Sequence, residues 1–114
     1  FDGQSGGLSQ LALIALNRNN NESAQRLLAE AMQVLALETS LNQSQRFNVI
    51  AKISNGYAVL ENEQIKQQGF EALQLLADDV MDSELRLIVD TRIVFSKAGI
   101  RDSQINNIPA PSLP

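Results

Sequence analysis

Residues 20–37 read NNESAQRLLAEAMQVLAL, and this stretch decides the fold class. Ala24, Leu27, Leu28, Ala31, Met32, Leu35 and Ala36 recur at steps of three and four, the spacing that gathers side chains onto one side of an α-helix. Arg26, Glu30 and Gln33 fall on the opposite side, and Glu22 stands four residues before Arg26, where such a pair supports a helix. A stripe this continuous needs an apolar neighbour to cover it. Matching stripes are therefore expected elsewhere in the chain.

They recur in both directions. Upstream, Leu8, Leu11, Ala12 and Ala15 predict a helix over residues 8–17. The run Asn17-Arg18-Asn19-Asn20-Asn21 ends it, because asparagine side chains compete for nearby backbone and favour turns and caps. Asn19, with Glu22 three residues later, fits a capping box. Residues 1–7, FDGQSGG, read as a flexible segment, since paired glycines carry high backbone entropy. Downstream, residues 38–42 read as a loop. A third helix over 43–60 places Phe47, Ile50, Ala51, Ser54, Tyr57 and Ala58 on one face, with Ile53 and Leu60 beside it. Its Gly56 weakens it by about 1 kcal/mol relative to alanine, and close approach of a neighbouring helix is the expected compensation. Asn62 is placed to cap a fourth helix over 63–79, whose inner stripe is Ile65, Gly69, Ala72, Leu73 and Leu76, flanked by Phe70 and Leu75. Asp82 or Ser83 caps a fifth, ending near Ala98, with Leu85, Ile88, Val89 and Phe95 inward. Leu87, Ile93 and Val94 widen its apolar arc enough to predict burial on two faces. Gly99 suits a left-handed helix end. Residues 101–107 suit one short further turn, and the prolines of residues 108–114 (IPAPSLP) a non-helical tail or linker. The fold class predicted is all-α: antiparallel helix pairs stacked as a short array of about five helices, in a domain over residues 8–107.

Composition narrows the function classes. The 114 residues suit one core, with 44% hydrophobic but only 4% aromatic residues, so aliphatic side chains must fill it. The net charge is −4, and the nine Lys and Arg form no run, which argues against a nucleic-acid partner. There is no cysteine and no histidine. Thiolate chemistry is therefore excluded, and so are the commonest general base and the commonest transition-metal ligand. No apolar run is long enough to span a bilayer. Lack of cysteine is compatible with an oxidising compartment and equally suits the cytosol, so localisation stays open with a slight lean towards the periplasm or secretion. A first residue Phe1 in place of Met suggests a processed product or a fragment.

The stripes also repeat. Ala31-Met32, then Leu35, recur as Ala72-Leu73, then Leu76; Phe47, Ile50, Ala51 and Tyr57 recur as Leu85, Ile88, Val89 and Phe95. An interval of about forty residues implies a stacked helical array, the alternative being a generic helical bundle with the same apolar spacing. These positions resemble the tetratricopeptide-repeat family. That family sets bulky, bulky, small and aromatic residues along its first helix, then small, bulky and small along its second. Leu8, Leu11 and Ala12 match, with Ala15 in the aromatic's place; Ala24, Leu28 and Ala31 match; Ile50, Ile53, Ser54, Tyr57 and Phe70 match, with Lys66 and Leu73 in place of small residues. A third unit offers Ile88 and Phe95, where Thr91 and Arg92 depart from the pattern. There is no tryptophan and no closing proline, and the period exceeds the family's usual length of about 34 residues. The resemblance implies a superhelix whose first helices line a groove. Asn48, Lys52, Asn55, Arg86 and Arg92 lie on such helices, and Asn and Arg there would hold a partner's backbone or carboxylate. Tyr57 with Asn55, Arg46 and Arg92 is the richest group.

No catalytic or metal-binding motif stands out. Asp78-Asp79-Val80-Met81-Asp82-Ser83-Glu84 lacks the alternating ligands and central glycine of a calcium loop, and reads as a turn with acids at a helix start. Glu61 and Glu63 fall in a turn, where solvated acids are expected. Ser96 and Lys97 are adjacent and so point apart on a helix. Gly3, Gly6 and Gly7 do not follow a strand, as a phosphate loop requires. The small residues Ala12, Ala15, Gly56 and Gly69 would leave a ligand cavity or allow close helix packing, the latter being simpler. The expectation is a non-enzymatic module without cofactor or metal, binding a peptide or partner subunit in a groove between helices. The alternative is a structural or self-associating segment of a larger protein.

Overall fold

The computed structural model describes residues 3–97. Five helices run through them: α1 (Gly3–Asn17), α2 (Asn21–Leu37), α3 (Gln43–Ala58), α4 (Glu63–Val80) and α5 (Ser83–Lys97). No strand occurs among the described residues, so the chain is all-α as its stripes required. The proposed turn at 101–107, the Gly99 helix end, the tail at 108–114 and the inward placement of Leu85 and Phe95 lie outside the described residues or side chains.

Asparagine sets most of the helix ends, though not always in the role expected. Asn19 does not start α2; it ends α1. Its φ of 59° is left-handed, its N–H reaches Leu16 O at 3.0 Å, and the Asn20 N–H reaches Ala15 O at 2.8 Å. This is the two-bond closure that satisfies the last carbonyls of a helix. Asn20 is the residue that caps α2, accepting from Ser23 N at 3.2 Å. Asn42 and Gln45 form a reciprocal capping box on α3, each accepting from the other's N–H at 2.9 Å. Asn62 caps α4 through Ile65 N at 3.1 Å, as its position predicted.

α1 begins at Gly3, five residues earlier than predicted, so residues 3–7 are helical. The reason lies more than thirty residues away. Glu38, at the C-terminal end of α2, turns its carboxylate onto the start of α1 and accepts from Gln4 N at 3.1 Å and Ser5 N at 2.8 Å. An anion there satisfies orphan donors and complements the helix dipole. Burial alone would raise the Glu38 pKa, but donors at Ser5 and Gln4 outweigh it and hold the pKa below its ordinary 4.5. The Ser5 N–H is the well-formed donor; Ser5 Oγ itself has no partner in hydrogen-bond geometry. Ser5, Gly6, Ser9 and Ala12 form the buried side of α1, and Ser9 Oγ donates to Ser5 O at 2.8 Å. Leu11, expected on this inner face, is 51% exposed instead, because the small residues face α2 and let the two helices close.

Each helix packs against the one before it, and from α3 onwards against the two before it. The close contacts are bulky side chains on glycine. A Cβ at Gly56 of α3 would stand 2.6 Å from Leu28 Cδ2 of α2, and one at Gly69 of α4 would overlap the ring of Tyr57 of α3. Both glycines therefore serve close approach, as Gly56 was expected to. The core around them is Leu28, Leu35, Val49, Ile50, Ile53, Phe70, Leu73 and Ile93 with Ala24, Ala31 and Ala77, all essentially without solvent contact. α1, α3 and α5 start at Gly3, Gln43 and Ser83, forty residues apart. Equivalent turns join each other: Glu61 N donates to Asn21 Oδ1 at 3.2 Å at one end of the helices. At the other end Gln43 brackets the α4–α5 turn, accepting from Asp82 N at 2.8 Å and donating to Val80 O at 3.1 Å.

α5 departs from the register predicted for it. Its buried residues are Val89 and Ile93, while Leu87, Ile88 and Val94 are exposed. Burial on two faces is thus not found among its described side chains. Among the described helices only α3 and α4 pack extensively against it.

Three substitutions test this packing and the Glu38 contact. Gly69→Ala gains helix propensity but drives a methyl into the Tyr57 ring, so it should lower stability by about 1 kcal/mol or more. Gly7→Ala meets nothing within 4 Å and should raise stability by about 0.5–1 kcal/mol; denaturant titration of the two variants should give midpoint shifts of opposite sign. Because the Glu38 pKa is lowered on folding, its contribution is present above pH 4.5 and lost as pH falls through the folded value. Glu38→Gln should therefore be less stable than the parent at neutral pH, with the two stability curves converging in acid.

Candidate partner-binding cleft

α1 and α3 lie side by side, and the forty-residue offset brings the α1–α2 turn next to the α3–α4 turn. Between them opens a cleft of about 710 Å³. Its apolar surface comes from Leu13, Ile14 and Leu16 of α1 and from Val59 after α3. Its polar surface is almost entirely carboxamide: Gln10, Asn17, Asn19, Asn21 and Asn55, with Glu61 as the single charged residue. Local folding fixes several of these. The left-handed turn holds Asn19, and Asn21 is tied down by the Glu61 N–H. Asn55 follows from the α3 face that carries it, and its Oδ1 is shut from solvent without a hydrogen-bond partner. An unpaired buried acceptor costs about 1–3 kcal/mol.

Carboxamides both donate and accept, so a row of them matches the alternating N–H and C=O of a peptide backbone. No lysine or arginine lines the cleft, and the C-terminal ends of α1 and α3 meet the start of α2 there at Asn21. It offers no hydroxyl–base pair with which to start nucleophilic chemistry. Among the described residues no group of three or more acidic side chains is placed to hold a metal ion. No helix among them is long and apolar enough to cross a membrane.

The five predicted site residues do not converge. Asn48, Lys52 and Asn55 follow one another at helical steps along α3, with Asn48 exposed, and only Asn55 lines the cleft. Arg92 of α5 lies over the Phe47 ring, 5.3 Å from its centroid, which brings it beside the start of α3. Arg86 turns the other way, to Asp78 of α4 at 3.6 Å. Two members of the group around Tyr57 are structural. Tyr57 is buried, its ring centroid 6.1 Å from that of Phe70 at a 53° tilt, and burial raises its pKa. Arg46 donates through Nη1 to Val80 O at 3.0 Å, holding the end of α4. Gln10, Asn17, Asn19 and Asn21 were missed as site residues. The signal available was the asparagine run at 17–21, which reads equally as a turn until the neighbouring turn is set beside it. Comparison with known protein families, with curated proteins and with solved structures finds no match.

Proposed function

We propose that this chain is a non-enzymatic protein–protein interaction module that takes an extended peptide or a partner's segment into the α1–α3 cleft. The observation that carries the proposal is the cleft itself: carboxamides over an apolar floor. A preformed groove on packed helices loses little freedom on binding, which favours affinity. The tetratricopeptide-like reading is supported by the residues that carry the resemblance. Ala24, Leu28, Ala31, Ile50, Ile53, Ser54, Tyr57 and Phe70 are all buried, and the starts of α1, α3 and α5 repeat at a fixed interval. Against it stands α5, whose buried pair Val89 and Ile93 does not fall on the family register.

The alternative, a self-associating segment, is supported by large apolar side chains left in water, Leu11 of α1 among them. Light scattering separates the two readings. Self-association gives an oligomer that Leu11→Ser returns to monomer, whereas the interaction module is a monomer throughout.

Peptides selected by display against the immobilised full chain provide the direct test. Asn55→Leu removes the carboxamide at similar volume and should weaken the selected peptides about ten-fold while leaving the helical circular dichroism unchanged. Arg86→Ala, distant in role, should leave affinity alone. Equal affinity of the parent and Asn55→Leu would remove the cleft from the account.

A further inference from the structure

Every helix from α3 onwards lies against the two helices before it: α3 on α1 and α2, α4 on α2 and α3, α5 on α3 and α4. The same step taken once more places a helix against α4 and α5, and no described helix lies there. The groove at that place has about 500 Å³ of open volume. Leu75, 72% exposed, lines it from α4 and Asp90 from α5, and on α5 Leu87 and Val94, 75% and 56% exposed, stand three residues before and four after Asp90. Helical spacing sets Leu87 and Val94 on the same side of α5 as Asp90, so a helix docked in the groove would cover them together with Leu75.

Charge selects the occupant. Glu71 and Asp78 stand four residues before and three after Leu75, so α4 presents acid, leucine, acid along one stripe. Asp90 faces them from α5. Arg86 pairs with Asp78 at 3.6 Å, and the groove itself is lined by Glu71, Gln74, Leu75, Asp78 and Asp90 with no lysine or arginine among them, so it is net acidic. We infer that the α4–α5 groove docks a basic amphipathic helix of a partner protein, its apolar stripe on Leu75, Leu87 and Val94 and its lysines or arginines towards Glu71 and Asp90. A helix in this position would extend the stack by one element and bury the face that α5 leaves in solvent. The site is separate from the α1–α3 cleft, and stands or falls independently of it.

The test uses the full chain and a dye-labelled synthetic leucine–lysine peptide patterned as an amphipathic helix, with its leucine–glutamate counterpart as control. Fluorescence anisotropy should show binding of the lysine peptide alone, weakening with added salt. NMR amide shifts should cluster on α4 and α5. The double variant Glu71→Lys/Asp90→Lys should weaken binding at least ~10-fold, Leu75→Ser should weaken it independently of charge, and Asn55→Leu should not. All these positions except Asn55 are at the surface, so circular dichroism should be unchanged. Binding that ignores the charge reversal, equal binding of the glutamate peptide, or shifts centred on the α1–α3 cleft would overturn the proposal. So would a Leu75-dependent dimer, or amide shifts on α4 and α5 when the full chain is compared with one ending at residue 97, since either places this chain itself in the groove.

Discussion

The ring of Tyr57 rests on the bare backbone of Gly69, and the side chain of Leu28 rests on Gly56. These two contacts hold α3 to α2 and α4 to α3 at a separation that a single methyl group would forbid. In a chain with so few aromatic residues, dense packing depends on such pairings of one large group with none at all. From that separation the rest follows. The α1–α2 and α3–α4 turns come close enough for Asn21 to hold the Glu61 N–H, and Gln43 reaches both Val80 and Asp82 across the opposite end. The α1–α3 cleft exists because those turns meet.

The helices were legible because their signal is local. Stripes at steps of three and four name the residues that must be covered, and Leu28, Ala31, Ile50 and Phe70 are covered. Gly56 was legible for a related reason: a glycine in mid-helix weakens the helix, so its presence implies a neighbour that needs the space. Three features were not legible, each because its cause is remote in the chain. The start of α1 depends on the Glu38 carboxylate, which the sequence places in a loop. Asn19 fits a helix start and a helix end equally well, and only its left-handed backbone decides. The inward side of α5 depends on where α3 and α4 lie, so its broad apolar arc gives no single register.

The candidate site divides in the same way. Asn55 was found from its place on the third helix. Tyr57 was chosen as a groove aromatic but is enclosed by the neighbour that Gly69 admits. Arg46 and Arg86 are engaged with Val80 and Asp78 respectively. The asparagines of the 17–21 run became lining residues only through the stacking of one turn on another. What the fold leaves outward is accordingly of two kinds. The α1–α3 side offers carboxamides and helix C-terminal ends, suited to backbone recognition, while the α4–α5 side offers leucines between acids.

Tyr57 is the only tyrosine in the chain, so its ring protons can be followed without ambiguity. A nuclear Overhauser spectrum of the intact protein should connect those protons to the α-protons of Gly69, and the Leu28 methyls to the α-protons of Gly56. Ring protons that see no glycine on the fourth helix, or a Leu28 side chain remote from the third, would contradict the packing on which the stack and both surfaces rest.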